Sequence, residues 1–181
     1  MMNEAYLDIE TTGLSPISAQ VTVVGLLLVK PTEECFIQFV GESITADSLL
    51  SAFNSVEVLY TYNGSRFDLP FLQTKLGINL SKKCSHHDLM YDCWEHKLYG
   101  GLKGVEQKLG IKRILSGIDG LESVRLWWRY INNYDEHALK VLCDYNREDV
   151  INLKHLKERI LSLPADRTEH NSSVKGVCNS T

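Results

Sequence analysis

Two acidic residues, Asp8 and Glu10, lie within a short segment that otherwise has the composition of a core β-strand, YLDIETTGL at residues 6–14. Because side chains alternate between the two faces of a strand, Asp8 and Glu10 point to the same side. Neighbouring carboxylates repel each other, and burial of either one is costly unless it is paired or bound to a metal. The alternative is an edge strand whose acidic face is solvated.

The segments after this strand favour a buried position for it. Residues 20–30 (QVTVVGLLLVK) are almost continuously apolar, which is typical of a strand covered on both faces. Residues 35–40 alternate like a third strand, a fourth strand is predicted at 56–62, and a short fifth strand is predicted at 87–89. We therefore expect the acidic strand to lie in a sheet and not at its solvated edge.

Helical patterns occupy most of the remaining chain. They are predicted at about 46–54, 67–77, 89–99, 102–110, 121–132 and 135–163. Thr45 is the expected N-cap of the first helix, and Asn133 with Glu136 resembles a capping box before the last. This order predicts one α/β domain with a mixed sheet over residues 1–163, and the polar tail at 164–181 is expected to be disordered.

The charge and the cysteines limit the class of protein. A net charge of −4 argues against a basic protein that coats DNA, but metal ions can supply the positive charge of a nuclease site. The five cysteines have neither C-x-x-C nor zinc-ligand spacing, so we expect reduced thiols in a cytoplasmic protein. We find no signal-peptide pattern and no apolar run long enough to span a bilayer, and we expect no membrane association.

Two further acidic residues are candidates for the same site. Asp68 follows a turn signal at 63–64 and begins a predicted helix, where capping is the alternative favoured by position alone. In the last helix, Asp149 lies midway between Tyr145 and Leu153 on the apolar stripe, so it is predicted to face inward. A salt-bridged core carboxylate is the alternative for Asp149.

The four carboxylates come from three segments that can meet where strands of an α/β sheet end, which is where ligands collect in such folds. Hard cations such as Mg²⁺ and Mn²⁺ take oxygen ligands and remove the repulsion within such a cluster. Two such ions, about 4 Å apart, stabilise the attacking and leaving oxygens of phosphodiester cleavage. The acidic residues therefore predict a divalent-metal site.

Three motifs carry a resemblance to a known family. YLDIETTGL, YNGSRFDLPFL at 62–72 and YNREDV at 145–150 resemble, in order and spacing, the exonuclease motifs of the DEDD superfamily, which has the ribonuclease H-like fold. The second motif is similar to that of family B DNA polymerase proofreading domains, and the whole segment 5–160 resembles the YprB-like predicted exonucleases. The resemblance implies a mixed five-stranded sheet flanked by helices.

The resemblance also implies roles for residues. The four carboxylates would bind two Mg²⁺ or Mn²⁺ ions. The histidine branch of the superfamily carries its base five residues before the last aspartate, where this chain has Asp144, whereas Tyr145 occupies the position that defines the tyrosine (DEDDy) branch. Tyr145 would orient the attacking water through its hydroxyl group, while the metal ions acidify that water.

The same resemblance implies substrate contacts. Asn63 would lie along the bound strand, Leu14 would pack beside the terminal base, and Thr11 and Thr12 would offer backbone N–H groups. The residues alone leave a turn at Asn63 and ordinary core packing of Leu14 as alternatives.

Other features carry less weight. Asp88 is expected to cap a helix and not to bind metal, and of Trp127 and Trp128 at least one is expected in the core although either could stack on bases. A modest basic patch would follow a phosphate backbone or form a solvated helix face; it comprises Lys103, Lys108, Lys112 and Arg113.

The function implied is a metal-dependent 3′→5′ exonuclease that releases nucleoside 5′-monophosphates from single-stranded DNA or RNA. A nucleic-acid-binding module without catalysis and a structure-specific endonuclease on the same fold are the alternatives. The complete set of four carboxylates favours an enzyme, because an inactive relative usually lacks a ligand.

Overall fold

A computed structural model describes residues 2–115 and 117–164 of the chain. Within these ranges five strands form one mixed sheet: β1 (Glu4–Thr11), β2 (Val21–Val29), β3 (Glu34–Val40), β4 (Val58–Thr61) and β5 (Ser85–Asp88). The spatial order is β3-β2-β1-β4-β5, in which β1, β2 and β3 run antiparallel and β1, β4 and β5 run parallel. The acidic strand β1 is therefore central, and the edge-strand alternative is wrong.

Among the described residues, the sheet is accompanied by the helices α1 (Ala46–Ala52), α2 (Asp68–Leu76), α3 (Leu89–Glu95), α4 (Leu102–Lys108), α5 (Gly120–Asn133) and α6 (Glu136–Leu161). The predicted cap of α1 is confirmed, because Thr45 accepts a hydrogen bond from the Ser48 N–H at 3.1 Å. The predicted capping box at Asn133 is wrong. That residue still belongs to α5, and Asp135 caps α6 by accepting from the Ala138 N–H at 3.0 Å.

The two faces of β1 are covered by different helices. Ala5, Leu7 and Ile9 pack in a hydrophobic cluster with α1 and α2, whereas Tyr6 packs in a second cluster with residues of α3, α4 and α6. Because side chains alternate along a strand, Asp8 and Glu10 share the face of Tyr6. The two carboxylates thus point toward the layer that contains α6.

A glycine in β2 lets α6 approach the sheet closely. Gly25 pairs with Asp8 in the antiparallel register of β1 and β2. A Cβ atom at Gly25 would lie 2.3 Å from Asn146 Oδ1 and 2.8 Å from Val150 Cγ2, which is closer than real contacts allow. The absence of a side chain at this position therefore brings α6 within reach of Asp8.

Some sequence predictions concern residues outside the described ranges. From residue 165 onward the predicted disordered tail cannot be compared with the structure, and the assignment of 1–163 as one domain stays a prediction. In the described part of the chain, the four cysteines Cys35, Cys84, Cys93 and Cys143 are free thiols. No helix in that part is both long and apolar enough to cross a membrane.

Candidate active site

Three carboxylates meet on the α6 side of the sheet, at the C-terminal end of β1. One oxygen from each of Asp8, Glu10 and Asp149 can be chosen so that all three lie within 4.8 Å of one another. Glu10 and Asp149 are each only 6% exposed. The predicted inward orientation of Asp149 is confirmed, because it lies on the same buried stripe of α6 as Tyr145 and Leu153.

Asp68 lies beside this group. It is the first residue of α2, it is 3% exposed, and its Oδ1 accepts a hydrogen bond from the Ile9 N–H at 3.1 Å. The negative charge of Asp68 raises the pKa values of Asp8 and Glu10, after the larger effect of burial. The bond to β1 replaces the helix cap that position alone favoured, since the N-cap of α2 is Phe67. The structure therefore joins three predicted ligands in one group, with the fourth next to it.

The pKa values of the four carboxyl groups are raised. Burial raises the pKa of Glu10 from 4.5 to about 8, and the charges of Asp149 and Asp68 add to the shift. Burial likewise raises the pKa of Asp68 from 3.8 to about 7. The pKa of Asp8 is raised by burial and then by the Asp149 and Glu10 charges, and burial raises that of Asp149. Each ionised carboxylate in this cluster is thus poorly solvated and repelled by its neighbours.

The donor set fits a hard divalent cation. The grouped ligands are all carboxylate oxygens, which suit Mg²⁺ or Mn²⁺ better than the soft metals that prefer sulfur. A divalent ion would also relieve the repulsion that raises the pKa values of Asp8 and Glu10.

Asn146 orients Asp8, a role that the sequence reasoning missed. Asn146 Nδ2 donates to the Asp8 backbone oxygen at 3.1 Å and to Asp8 Oδ2 at 3.0 Å. Gln38 Nε2 in turn donates to Asn146 Oδ1 at 2.8 Å, which fixes the amide orientation. Asn146 is fully buried. Its place on the apolar stripe, four residues after Leu142 and three before Asp149, is a signal that could have identified it.

Tyr145 lies against the acidic cluster. The residue is 6% exposed, and its hydroxyl group lies close enough to the Asp149 carboxylate for the two groups to shift each other's pKa. Lys103 Nζ lies 4.5 Å from the ring centroid. Burial raises the pKa of the hydroxyl far above its ordinary value, and the charges of Asp149 and Glu10 raise it further. Tyr145 therefore stays protonated and can act as a hydrogen-bonding group but not as a phenolate base.

Arg113 points inward instead of forming a surface patch. Its guanidinium group forms ion pairs with Glu106 and Asp149, and the side chain is only 12% exposed. Lys108 Nζ donates to the Tyr99 backbone oxygen at 2.6 Å. The predicted basic patch is therefore wrong at Arg113, because its guanidinium group pairs with buried carboxylates and does not face a phosphate backbone.

Asp88 holds the turn that connects β4 to α2. As predicted, it caps α3, accepting from the Met90 N–H at 3.2 Å. It also accepts from the backbone N–H groups of Asn63 at 2.7 Å and Ser65 at 3.0 Å. Asn63 has a φ of +61°, a left-handed conformation that confirms the turn. A contact between Asn63 and substrate stays a prediction.

The other predicted substrate contacts differ in their surroundings. Leu14 is 88% exposed, so the core alternative is wrong and its side chain is free to meet a ligand. The Thr12 N–H already donates to the Gln20 oxygen at 2.9 Å, and the Thr11 hydroxyl donates to the Gly13 oxygen at 2.7 Å. The assignment of Thr11, Thr12 and Leu14 to substrate binding stays a prediction. The Thr12 N–H could bind substrate only by giving up its hydrogen bond to Gln20.

The two adjacent tryptophans differ in how far they are buried. Trp127 is 7% exposed and packs with Val23 and Leu126, whereas Trp128 is 45% exposed. The expectation that at least one of them belongs to the core is confirmed.

The fold and the site together define a ribonuclease H-like α/β domain with an acidic cluster suited to divalent metal. A family model of the RNase H superfamily matches residues 5–161, and the chain therefore belongs to this superfamily. The family and the fold inferred from the three motifs are thereby confirmed.

One curated protein is similar over most of this chain. The chain is 29% identical over 199 aligned positions to the uncharacterised protein YprB of Bacillus subtilis (strain 168), covering 94% of this chain and 46% of the relative. It thus spans about half the length of the curated relative that it matches.

Solved structures show a similar fold. The family B DNA polymerase of the hyperthermophilic archaeon Pyrobaculum calidifontis superposes with a TM-score of 0.69 at 17% identity, covering 89% of this chain and 25% of the polymerase. A structure described as the apo form of a nuclease superposes with a TM-score of 0.57 at 17% identity, covering 87% of this chain and 70% of that one. At these identities the likeness concerns the fold alone.

Proposed function

We propose that this domain is a metal-dependent 3′→5′ exonuclease that removes nucleoside 5′-monophosphates from single-stranded DNA or RNA. The observation that carries the proposal is the meeting of Asp8, Glu10 and Asp149 within 4.8 Å, with the buried Tyr145 one turn from Asp149 on the same helix. Superfamily membership and the order of the three motifs support it. The nuclease and polymerase folds named above are consistent with the same class of reaction.

Different residues of the chain would bind the metal ions and hold the metal ligands in position. Asp8, Glu10, Asp68 and Asp149 would hold two Mg²⁺ or Mn²⁺ ions. When bound, these ions supply positive charge that activates water and stabilises the attacking and leaving oxygens. Asn146 keeps the Asp8 carboxylate in place through its hydrogen bond at 3.0 Å.

Tyr145 would orient the attacking water. Its hydroxyl stays protonated because burial and the carboxylate charges raise its pKa, so it offers a hydrogen bond and does not remove a proton. The buried position of the ring beside Lys103 limits its movement. Replacement of Tyr145 by Phe should therefore lower the turnover rate while leaving metal binding intact.

Substrate binding would use groups around the cluster. The exposed side chain of Leu14 can pack against a terminal base, and Asn63 and the Thr11–Thr12 segment belong to the two motifs that carry Asp68 and Asp8. With a net charge of −4, the chain offers little general attraction for nucleic acid, so binding is expected to depend on divalent metal. We also propose a cytoplasmic location, which the free thiols support.

The decisive assay uses 5′-labelled single-stranded oligonucleotides of matched DNA and RNA sequence with Mn²⁺. A 3′→5′ exonuclease produces a ladder that shortens from the 3′ end. Asp8→Ala and Asp149→Ala should each lower the rate by about a hundredfold or more, because loss of metal-held charge removes several kcal/mol of transition-state stabilisation. Asp144→Ala is the matched control, since this half-exposed carboxylate of α6 pairs with Lys140 and does not belong to the group of Asp8, Glu10 and Asp149.

The outcomes separate the alternatives. Activity that Asp8→Ala and Asp149→Ala do not reduce would come from a contaminant and would end the proposal. Cleavage of a circular single strand would favour the structure-specific endonuclease. Salt-dependent binding without any turnover would favour the inactive binding module.

A further inference from the structure

Arg113 is a buried cation that touches one of the proposed metal ligands. Its Nη1 donates to both oxygens of Glu106, at 2.9 and 2.7 Å, and its Nη2 donates to Asp149 Oδ1. Its Nε lies 3.6 Å from Glu148 Oε2. One guanidinium group therefore links α4, which carries Glu106, to the part of α6 that carries Glu148 and Asp149.

The backbone on the C-terminal side of Arg113 is attached to the same part of α6. The N–H groups of Ile114 and Leu115 donate to the two oxygens of Glu148, the second at 3.2 Å. Glu106 is 1% exposed, so the other partner of the guanidinium is also held within the fold. The guanidinium group of Arg113 is thus held by the buried Glu106 carboxylate, and the backbone after Arg113 is held by Glu148. Together these contacts define the position of Arg113 relative to Asp149.

Arg113 cannot serve as the cation of the acidic cluster. Three carboxylates surround its single positive charge: Glu106, Glu148 and Asp149. Asp8 and Glu10 form no ion pair with it among the described residues. The cluster therefore keeps an excess of negative charge.

We propose that Arg113 is a positioning residue, which holds Oδ1 of Asp149 so that Oδ2 is the oxygen left for a divalent cation. The guanidinium carbon also lies 5.6 Å from the centroid of the Tyr145 ring, so the same group packs against the residue that orients water. This inference rests on the proposed function, because it assigns a part to Arg113 in the metal site of that enzyme.

The planar fork of arginine suits this task better than a lysine ammonium group. Arg113 uses two separate nitrogens for two carboxylates that belong to different helices. A lysine has one nitrogen on a flexible stem and cannot reproduce both contacts in one fixed geometry. Arg113→Lys therefore keeps the charge and removes the geometry, while Arg113→Gln removes both.

The test measures Mn²⁺ binding to the full chain, from the free Mn²⁺ signal in electron paramagnetic resonance. For Arg113→Lys we expect an apparent affinity lower by about tenfold or more, which is the usual effect of losing a partner that orients a metal ligand. Arg125→Lys is the matched control, because Arg125 forms an exposed pair with Glu122. Turnover of Arg113→Lys should recover toward the wild-type rate at saturating Mn²⁺.

Arg113→Gln distinguishes positioning from simple charge effects. Removal of a positive charge beside a metal site should tighten Mn²⁺ binding if electrostatics alone matters, whereas loss of positioning should weaken it. Tighter binding in Arg113→Gln, or unchanged binding in Arg113→Lys, would overturn the inference. If Arg113→Gln does not fold because Glu106 is left unpaired, Arg113→Lys alone decides.

Failure of the proposed function looks different. In that case the wild-type protein itself would bind no Mn²⁺, or Asp149→Asn would bind it as well as wild type does. Wild-type binding that depends on Asp149, together with unchanged binding in Arg113→Lys, would reject only the role of Arg113.

Discussion

The metal-free protein should lose stability as pH rises, and Glu10→Gln should reduce this loss. The pKa of Glu10 is raised by burial from 4.5 to about 8 in the folded state. Between these values the folded state binds more protons than the unfolded state, so the free energy of unfolding falls with increasing pH. The stabilising protonation is fully present below pH 4.5 and is lost as pH rises through about 8.

The size of the effect follows from the same two pKa values. A difference between 4.5 and about 8 corresponds to on the order of 5 kcal/mol, at about 1.4 kcal/mol for each pH unit. Because Asp68 has a pKa raised to about 7, part of the pH dependence remains when Glu10 is replaced. At pH 9 in EDTA we expect Glu10→Gln to be more stable than wild type by roughly 2–5 kcal/mol.

Urea unfolding followed by tryptophan fluorescence at pH 5, 7 and 9 measures this difference. The control is Glu42→Gln, which replaces an exposed carboxylate outside the cluster and should leave the pH dependence unchanged. Excess Mn²⁺ should stabilise wild type more than Glu10→Gln, because Glu10 is a proposed ligand. The difference in the free energy of unfolding between Glu10→Gln and wild type at pH 9 should therefore become smaller, or change sign, when Mn²⁺ is added.

Two results would refute this reasoning. One is a wild-type protein in EDTA whose free energy of unfolding does not change between pH 5 and 9. The other is a Glu10→Gln variant with the same slope as wild type. Either would mean that the Glu10 carboxylate is well solvated in the folded protein, and that the cluster has no electrostatic need for metal.

Two further predictions concern the scaffold of the site. Gly25→Ala should destabilise the protein by about 1–3 kcal/mol, because its Cβ would meet Asn146 Oδ1 at 2.3 Å and push α6 from the sheet. Urea unfolding checks this, and Gly104→Ala, whose Cβ meets no atom within 4 Å, should be neutral or stabilising. Asp88→Ala should cost about 1–3 kcal/mol, because the N–H groups of Asn63, Ser65 and Met90 lose a charged acceptor. It should also raise KM for oligonucleotide, and an unchanged KM would separate the Asn63 turn from substrate binding.

The motifs predicted the carboxylates of the acidic cluster because the orientation of these side chains depends on local periodicity. The strand period of two places Asp8 and Glu10 on one face, and the helical period places Asp149 on the inward stripe. The strand segments were also recognisable, because their apolar character is continuous or alternating. An error fell at a helix end, where Asp135, two residues after the predicted cap Asn133, caps α6 instead.

Contacts between distant segments could not be inferred in this way. Asp68 had a plausible role as a helix cap, and only the packing of α2 against β1 shows that it accepts from the Ile9 N–H. Asn146 reaches Asp8 because Gly25 admits α6 to the sheet. Such contacts depend on how whole elements dock, and local sequence patterns carry little information about that.

Arg113 shows most clearly the difference between what the sequence predicts and what the tertiary packing determines. In the sequence it stands among three lysines, which predicts a basic patch, whereas in the fold its guanidinium group packs against Asp149, which lies 36 residues further along the chain. The acidic strand that begins the chain requires a compensating charge, and that requirement follows from composition and periodicity alone. The tertiary packing of α4 and α6 decides which groups supply that charge, because only this packing brings Glu106, Arg113 and Asp149 together. The same packing decides which oxygen of Asp149 Arg113 leaves for a cation.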